Sequence, residues 1–165
     1  MAVDALIVIF SRWLHVTFAC LVVGGVFFIR VLFPIGMKAI DSAAAQTAFL
    51  KTRRVFKMLV HTSILILLLS GTYNAYRNWH GYTAAGPGVG HGVFGLHLLL
   101  ALVAFGIGLW LLAGAEPPVN HRKWAMINLI ILFLTVAAAS TLKYVREHPK
   151  SRPITEQSPA TMPAM

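Results

Sequence analysis

The chain has 165 residues, 58% of them hydrophobic and only 12% charged, with a mean hydropathy of +0.73. A soluble domain carries about 45–50% apolar and about 25% charged residues, so the composition excludes a water-soluble globular enzyme and a disordered regulator. Lys and Arg number 14 against 5 Asp and Glu, a net +9; these basic residues fall between apolar blocks without interleaved aromatics, which fits juxtamembrane loops and not a nucleic-acid partner.

In chain order, the first apolar block is preceded by the acidic MAVDAL and closed by no A-x-A-like site, so a cleavable signal peptide is not expected. Trp13–Ile29 then runs 17 residues without Asp, Glu, Lys or Arg, and the apolar stretch reaches Phe33 if Arg30 snorkels, with Pro34 marking its end. Met58–Tyr76 gives 19 such residues, with Tyr73, Tyr76 and Trp79 crowding its end as an interfacial belt. The stretch HGYTAAGPGVGHG that follows is too rich in Gly and Pro to be expected as helix. Val93–Ala113 is apolar throughout; Pro117 and Pro118 break the chain, and Trp124–Leu142 supplies a further 19 uncharged residues. A helix needs about 20 apolar residues to cross about 30 Å of hydrocarbon, and the period-two alternation of a β-barrel strand is absent. The expected fold is an all-α integral membrane four-helix bundle over residues 1–148, with spans at about 8–33, 56–76, 93–113 and 124–144. The proline-rich segment 149–165 is expected as a flexible tail.

Counting Lys and Arg sets the orientation. Arg30, Lys38, Lys51, Arg53, Arg54, Lys57, Arg122 and Lys123 lie on one side; Arg12, Arg77, Lys143 and Arg146 lie on the other, once Lys150 and Arg152 of the tail are discounted. The positive-inside rule then expects a multi-pass protein of the inner (plasma) membrane with both termini on the non-cytoplasmic side.

Seven histidines are present, and polar groups in hydrocarbon are functional candidates by default. His15 and His97 enter their spans from the outer face and fall within about 3–9 Å of one another in depth. His61 enters from the inner face, roughly 15–20 Å away, and is expected to pack or to relay protons. His80, His91, His121 and His148 fall in loops or the tail, His91 being the reserve ligand. Neutral imidazole binds haem iron well, so His15 and His97 form a candidate metal-ligating pair for haem b. The faces carrying Ala19, Val22 and Gly25 beside His15, and Ala101, Ala104 and Gly108 beside His97, are small enough for a porphyrin edge or for plain helix packing. Arg12 and Arg77 are candidate cofactor-binding residues for the propionates, with Lys143 and Arg146 on the same side. Cys20 stands alone and no CxxCH occurs, so an intramolecular disulfide, a Cys-only metal site and a covalently bound c-type haem of the usual kind are excluded. No P-loop, paired carboxylates or Ser/His/Asp set is present, and the methionines form no cluster suited to copper.

The opening RWLHVTFACLVVGGVFFIRVLFP resembles the first helix of small four-helix membrane proteins that include HemJ-type protoporphyrinogen oxidases and the membrane domain of CopD-type copper-resistance proteins. The carrying features are His15, Val23-Gly24-Gly25 and Phe27-Phe28-Ile29-Arg30, followed by KTRRVFKML, Ser70-Gly71 and Gly95-Leu96-His97-Leu98-Leu99. The resemblance spans residues 8–145 and implies a four-helix bundle binding haem b through His15 and His97. The family's lysine two residues after the third-helix His is Leu99 here, a departure that bears on oxidase chemistry. Three readings stand: a b-type electron-transfer protein, alone or as subunit of a membrane redox complex or homo-oligomer; a HemJ-like protoporphyrinogen IX oxidase; and a non-redox scaffold subunit.

Overall fold

The computed structural model describes residues 2–38, 41–84, 88–113 and 120–148 and is all-helical among them. Its elements are α1 (Ala2–Phe27), a π-turn (Phe28–Leu32), α2 (Phe33–Met37), α3 (Ser42–Ala84), α4 (Val89–Ala113) and α5 (His121–Glu147). Four helices, the first made of α1, the π-turn and α2 in series, are long and apolar enough to cross a membrane. The expected tail, 149–165, lies outside the described residues, as do Pro117 and Pro118.

Three boundaries differ from the expectation, each for a local reason. Pro34 does not end the first helix. It sits in the first turn of α2, where the missing N–H costs nothing. The turn before it is wound one residue wider, with the Phe33 N–H bonded to the Phe28 carbonyl five residues back. A π-turn of this kind absorbs the ring that would otherwise crowd the preceding carbonyls. The second helix, α3, runs for 43 residues, about 64 Å at 1.5 Å per residue. Hydropathy reports only the part long enough for hydrocarbon; the backbone hydrogen bonds continue on both sides of it.

The third difference is the Gly-rich stretch, most of which is helical. His80–Ala84 completes α3, and α4 already starts at Val89 after Gly88, whose φ of +88° suits the turn. Gly90 serves close approach: a Cβ there would collide with the backbone of Tyr82. The glycine lets the end of α3 and the start of α4 touch, backbone to backbone.

Around the bundle the order is α1, α3, α4, α5, with α1 packed on α3 and α5, and α4 packed on the same two. Helices α1 and α4 therefore face each other across the diagonal. A cluster of Val22, Leu67, Ala104 and Leu132, one residue from each helix, closes the middle of the bundle. Ala19 packs against it, Gly25 faces the Phe56 ring and Gly108 faces Asn128. The small-residue faces are thus used for helix contact at these positions.

Apolar side chains cover the outside of the bundle as well as its core. Leu65, Leu69, Leu99 and Phe133 stand exposed on the outside, while Ser11, Ser63, Ser70 and Asn128 are buried inside. Exposed apolar surface on this scale needs an apolar surrounding or a partner. Lone Cys20 is among the outward residues.

Candidate functional site: a histidine pair held through Nδ1

On α3, Ser70, Asn74, Asn78 and Tyr82 recur every four residues, which puts them on one helix face. That face meets α1 on the side of Ser11, Arg12 and His15. The His15 Nδ1 lies 3.0 Å from Ser70 Oγ. Ser70 Oγ donates its only hydrogen to the Ile66 carbonyl at 2.6 Å, a bond typical of serine inside an apolar helix. The hydroxyl can then only accept from His15, so the imidazole carries its proton on Nδ1 and keeps a lone pair on Nε2. Gly71 makes room for the ring, since a Cβ at this position would come to 3.1 Å from its Cε1. Ser11 Oγ adds a bond to the Ser70 carbonyl at 3.4 Å and ties the two helices at this level.

His97 on α4 is arranged in the same way by different atoms. Its Nδ1 is 3.1 Å from the carbonyl of Thr135 on α5. A carbonyl only accepts, which again fixes the proton on Nδ1 and leaves Nε2 as the basic nitrogen. The Thr135 hydroxyl bonds Ile131 O at 2.8 Å within its own helix and does not compete for the ring. Each imidazole lies seven residues before its own helix's member of the central cluster, Val22 for His15 and Ala104 for His97, so the two stand at one level of the bundle. Metal-ligating histidines are oriented by this kind of second hydrogen bond, which fixes the tautomer and raises ligand basicity.

Toward the chain's N-terminal end the pair is capped by cations. Arg12 Nη2 donates to Asn78 Oδ1 at 3.1 Å, and Asn78 Nδ2 donates to the Asn74 carbonyl at 2.6 Å. Arg146 of α5 lies over Gly81, the chain neighbour of Tyr82. Asn74 Oδ1 is buried there without a partner.

Of the residues singled out from sequence, His15, His97 and Arg12 gather at this end. Arg77 does not join them in any described contact; it is exposed, a third of a turn from Asn78. Arg146 takes the place beside Tyr82. His61 is exposed and bonds its own helix through Lys57 O at 2.7 Å. His91 packs on Trp79 with ring centres 4.9 Å apart, and His148 stacks on Tyr144 at 4.4 Å. Thr135, Asn74, Asn78 and Tyr82 were not anticipated. The four-residue polar spacing on α3 is the signal that marks three of them, whereas a backbone carbonyl such as that of Thr135 leaves no mark in a sequence.

No group of three or more His, Cys, Asp or Glu able to hold a metal ion occurs among the described residues. A haem needs fewer protein ligands, and the donor set fits it: two neutral imidazoles on separate helices, each with Nε2 available. Comparison with protein families, with curated proteins and with solved structures finds no match.

Proposed function

We propose that this chain is an integral membrane protein that carries a b-type haem between His15 and His97 and transfers electrons, alone or within a larger membrane complex. The observation that carries the reading is the shared Nδ1 engagement of two imidazoles on different helices, which leaves both Nε2 lone pairs for a ligand. A haem held by these two imidazoles would supply one-electron transfer rather than oxygen chemistry. His15 and His97 would hold it, Ser70 and the Thr135 carbonyl orient the two rings, and Arg12 and Arg146 offer cations to its carboxylates. Leu99 stands 59% exposed on the outside of α4, so the position of the family-like lysine offers no proton carrier beside the histidines; this favours electron transfer over protoporphyrinogen oxidation. The scaffold reading has one observation of its own, the use of Val22 and Ala104 as plain core.

The visible spectrum tests the reading. Reduced, purified protein is expected to show the narrow bands of low-spin b-type haem, extractable by acid-acetone. His15→Ala and His97→Ala should each abolish those bands or turn the iron high-spin, while His61→Ala and His121→Ala keep them. Colourless protein after haem supply, or both mutants low-spin, leaves the scaffold. For the membrane and its orientation, single cysteines at Ala44 and Pro87 in a Cys20→Ser background should label from opposite sides of intact cells, with Ala44 cytoplasmic.

A further inference from the structure

Beyond the central cluster, at the opposite end from the histidines, the bundle encloses a cavity of about 500 Å³. The π-turn, α2, the first half of α3, the end of α4 and the start of α5 border it. Small-molecule sites typically have about 300–1,000 Å³ and are mostly apolar, with a few placed polar groups that fix orientation. Arg30, Arg53 and Arg122 line this basic end, where they brace its walls. Arg30 Nε donates to the Arg122 carbonyl at 2.9 Å and joins the π-turn to α5. Arg53 Nη2 donates to the Leu111 carbonyl at 2.9 Å and joins α3 to α4. These cations frame the cavity; the groups suited to recognising a ligand are of another kind.

Four phenylalanines border the space: Phe33 of α2, Phe49 and Phe56 of α3, and Phe105 of α4. The Phe33 and Phe49 rings stand 6.3 Å apart and tilted by 44°. Phe56 and Phe105 are held against the cluster of Val60, Ile64 and Leu112. Rings fixed in this way offer faces and edges to another flat ring. The second, independent observation is Asn128. It is 3% exposed, lines the same cavity, and its Oδ1 has no partner among the described residues. Its Nδ2 stands beside Gly108, 3.6 Å from where a Cβ there would lie. Carboxamide oxygen and nitrogen are interchangeable in such an assignment, so either can meet a ligand in the cavity. A carboxamide both donates and accepts, and leaving one unmet in an interior is costly enough to call for a ligand or water.

We propose that this cavity binds a quinone and its quinol, with the ring among the four phenylalanines and one ring oxygen at Asn128. The amide suits both oxidation states: its N–H donates to the carbonyl of the quinone, and its oxygen accepts from the hydroxyl of the quinol. Such a ring is neutral, flat and lipid-soluble, and it would arrive through the bilayer that the four apolar helices are long enough to cross. The site needs nothing bound at the histidines, from which the central cluster separates it.

The test uses the full chain in neutral detergent and equilibrium dialysis with three labelled probes: duroquinone, durene (the same methylated ring without its oxygens) and oleate. Duroquinone is expected to bind saturably and about tenfold tighter than durene, the ratio that one hydrogen bond to a buried amide is worth. Asn128→Leu should erase that ratio while durene stays bound. Gly108→Leu, which directs a side chain at the amide, should weaken both rings. Lys143→Gln, outside the cavity, should change neither. His15→Ala should also change neither, so a colourless protein that still binds duroquinone separates the failure of the haem reading from the failure of this one. Durene bound as tightly as duroquinone, oleate bound more tightly than either, no saturable binding of any probe, or an unchanged ratio in Asn128→Leu overturns the proposal.

Discussion

The two ends of the bundle solve the same problem in opposite ways. At the histidine end, polar groups pair with one another: His15 with Ser70, His97 with the Thr135 carbonyl and Arg12 with Asn78, with Asn74 Oδ1 left over. At the basic end they surround space, with Asn128 left unmet beside a cavity. Val22 and Ala104 belong to the central cluster and also line that cavity. The cluster is therefore a partition, and what happens on one side can be perturbed without the other.

That division can be broken most severely at Gly90. Gly90→Val forces a branched side chain against the Tyr82 backbone, and overpacking of this kind costs about 1–3 kcal/mol or more. The thermal midpoint in detergent should fall by the largest margin of any change here, with the histidine end lost first because Tyr82 caps it. A midpoint equal to wild type would show that α3 and α4 are not pressed together there.

Ser70→Ala is the next largest and is selective. The Ser11 bond reaches the Ser70 carbonyl and survives, but the His15 ring loses the acceptor that fixes its tautomer. Loss of such an orienting partner typically costs 10–100-fold in ligand affinity, so haem titration should show a drop of that order. An unchanged haem affinity would count against the tautomer argument.

Asn128→Leu should act on the other side only and with opposite sign. Removing an unmet buried amide for an apolar group of similar size is expected to raise the unliganded thermal stability by about 1 kcal/mol, with no change in the haem spectrum. A loss of stability would mean that the amide is satisfied by water. Smallest of all, Arg77→Ala should lie within about 0.5 kcal/mol of wild type, since Arg77 is exposed and off the Ser70–Tyr82 face. Its comparison with Arg146→Ala, in stability and in haem affinity, separates the two arginines.

The all-helical architecture with four apolar segments was legible from hydropathy, because burial in hydrocarbon is a property of summed composition. Helix ends were less so. α3 extends well beyond 56–76 because an amphipathic or polar turn continues a helix at no hydrogen-bonding cost, and hydropathy is blind to it. The sequence HGYTAAGPGVGHG misleads for a subtler reason: glycine marks turns and close contacts alike, and Gly90 is the second kind. Matching depth in the sequence proposes His15 and His97 as a pair, but their hydrogen-bond partners depend on which helix neighbours which. That order around the bundle is tertiary information, as is the choice of Arg146 over Arg77. The basic cavity was invisible for the same reason, since Arg30, Arg53 and Arg122 come from three separate helices and read in sequence only as loop charges.

The π-turn at Phe28–Leu32 has a consequence for how this chain can change over generations. A π-turn is one residue spliced into a helix. Deleting any one residue between 28 and 32 would restore ordinary winding and leave the residues after it on their present faces. Phe33, Pro34 and Met37 would stay in the cavity wall they now form, but the proline would meet a carbonyl it now avoids. The loops on either side of the bundle can lengthen or shorten at little cost. This one turn cannot, so among descendants of the same ancestor its length should be kept to the residue even where the side chains in it drift.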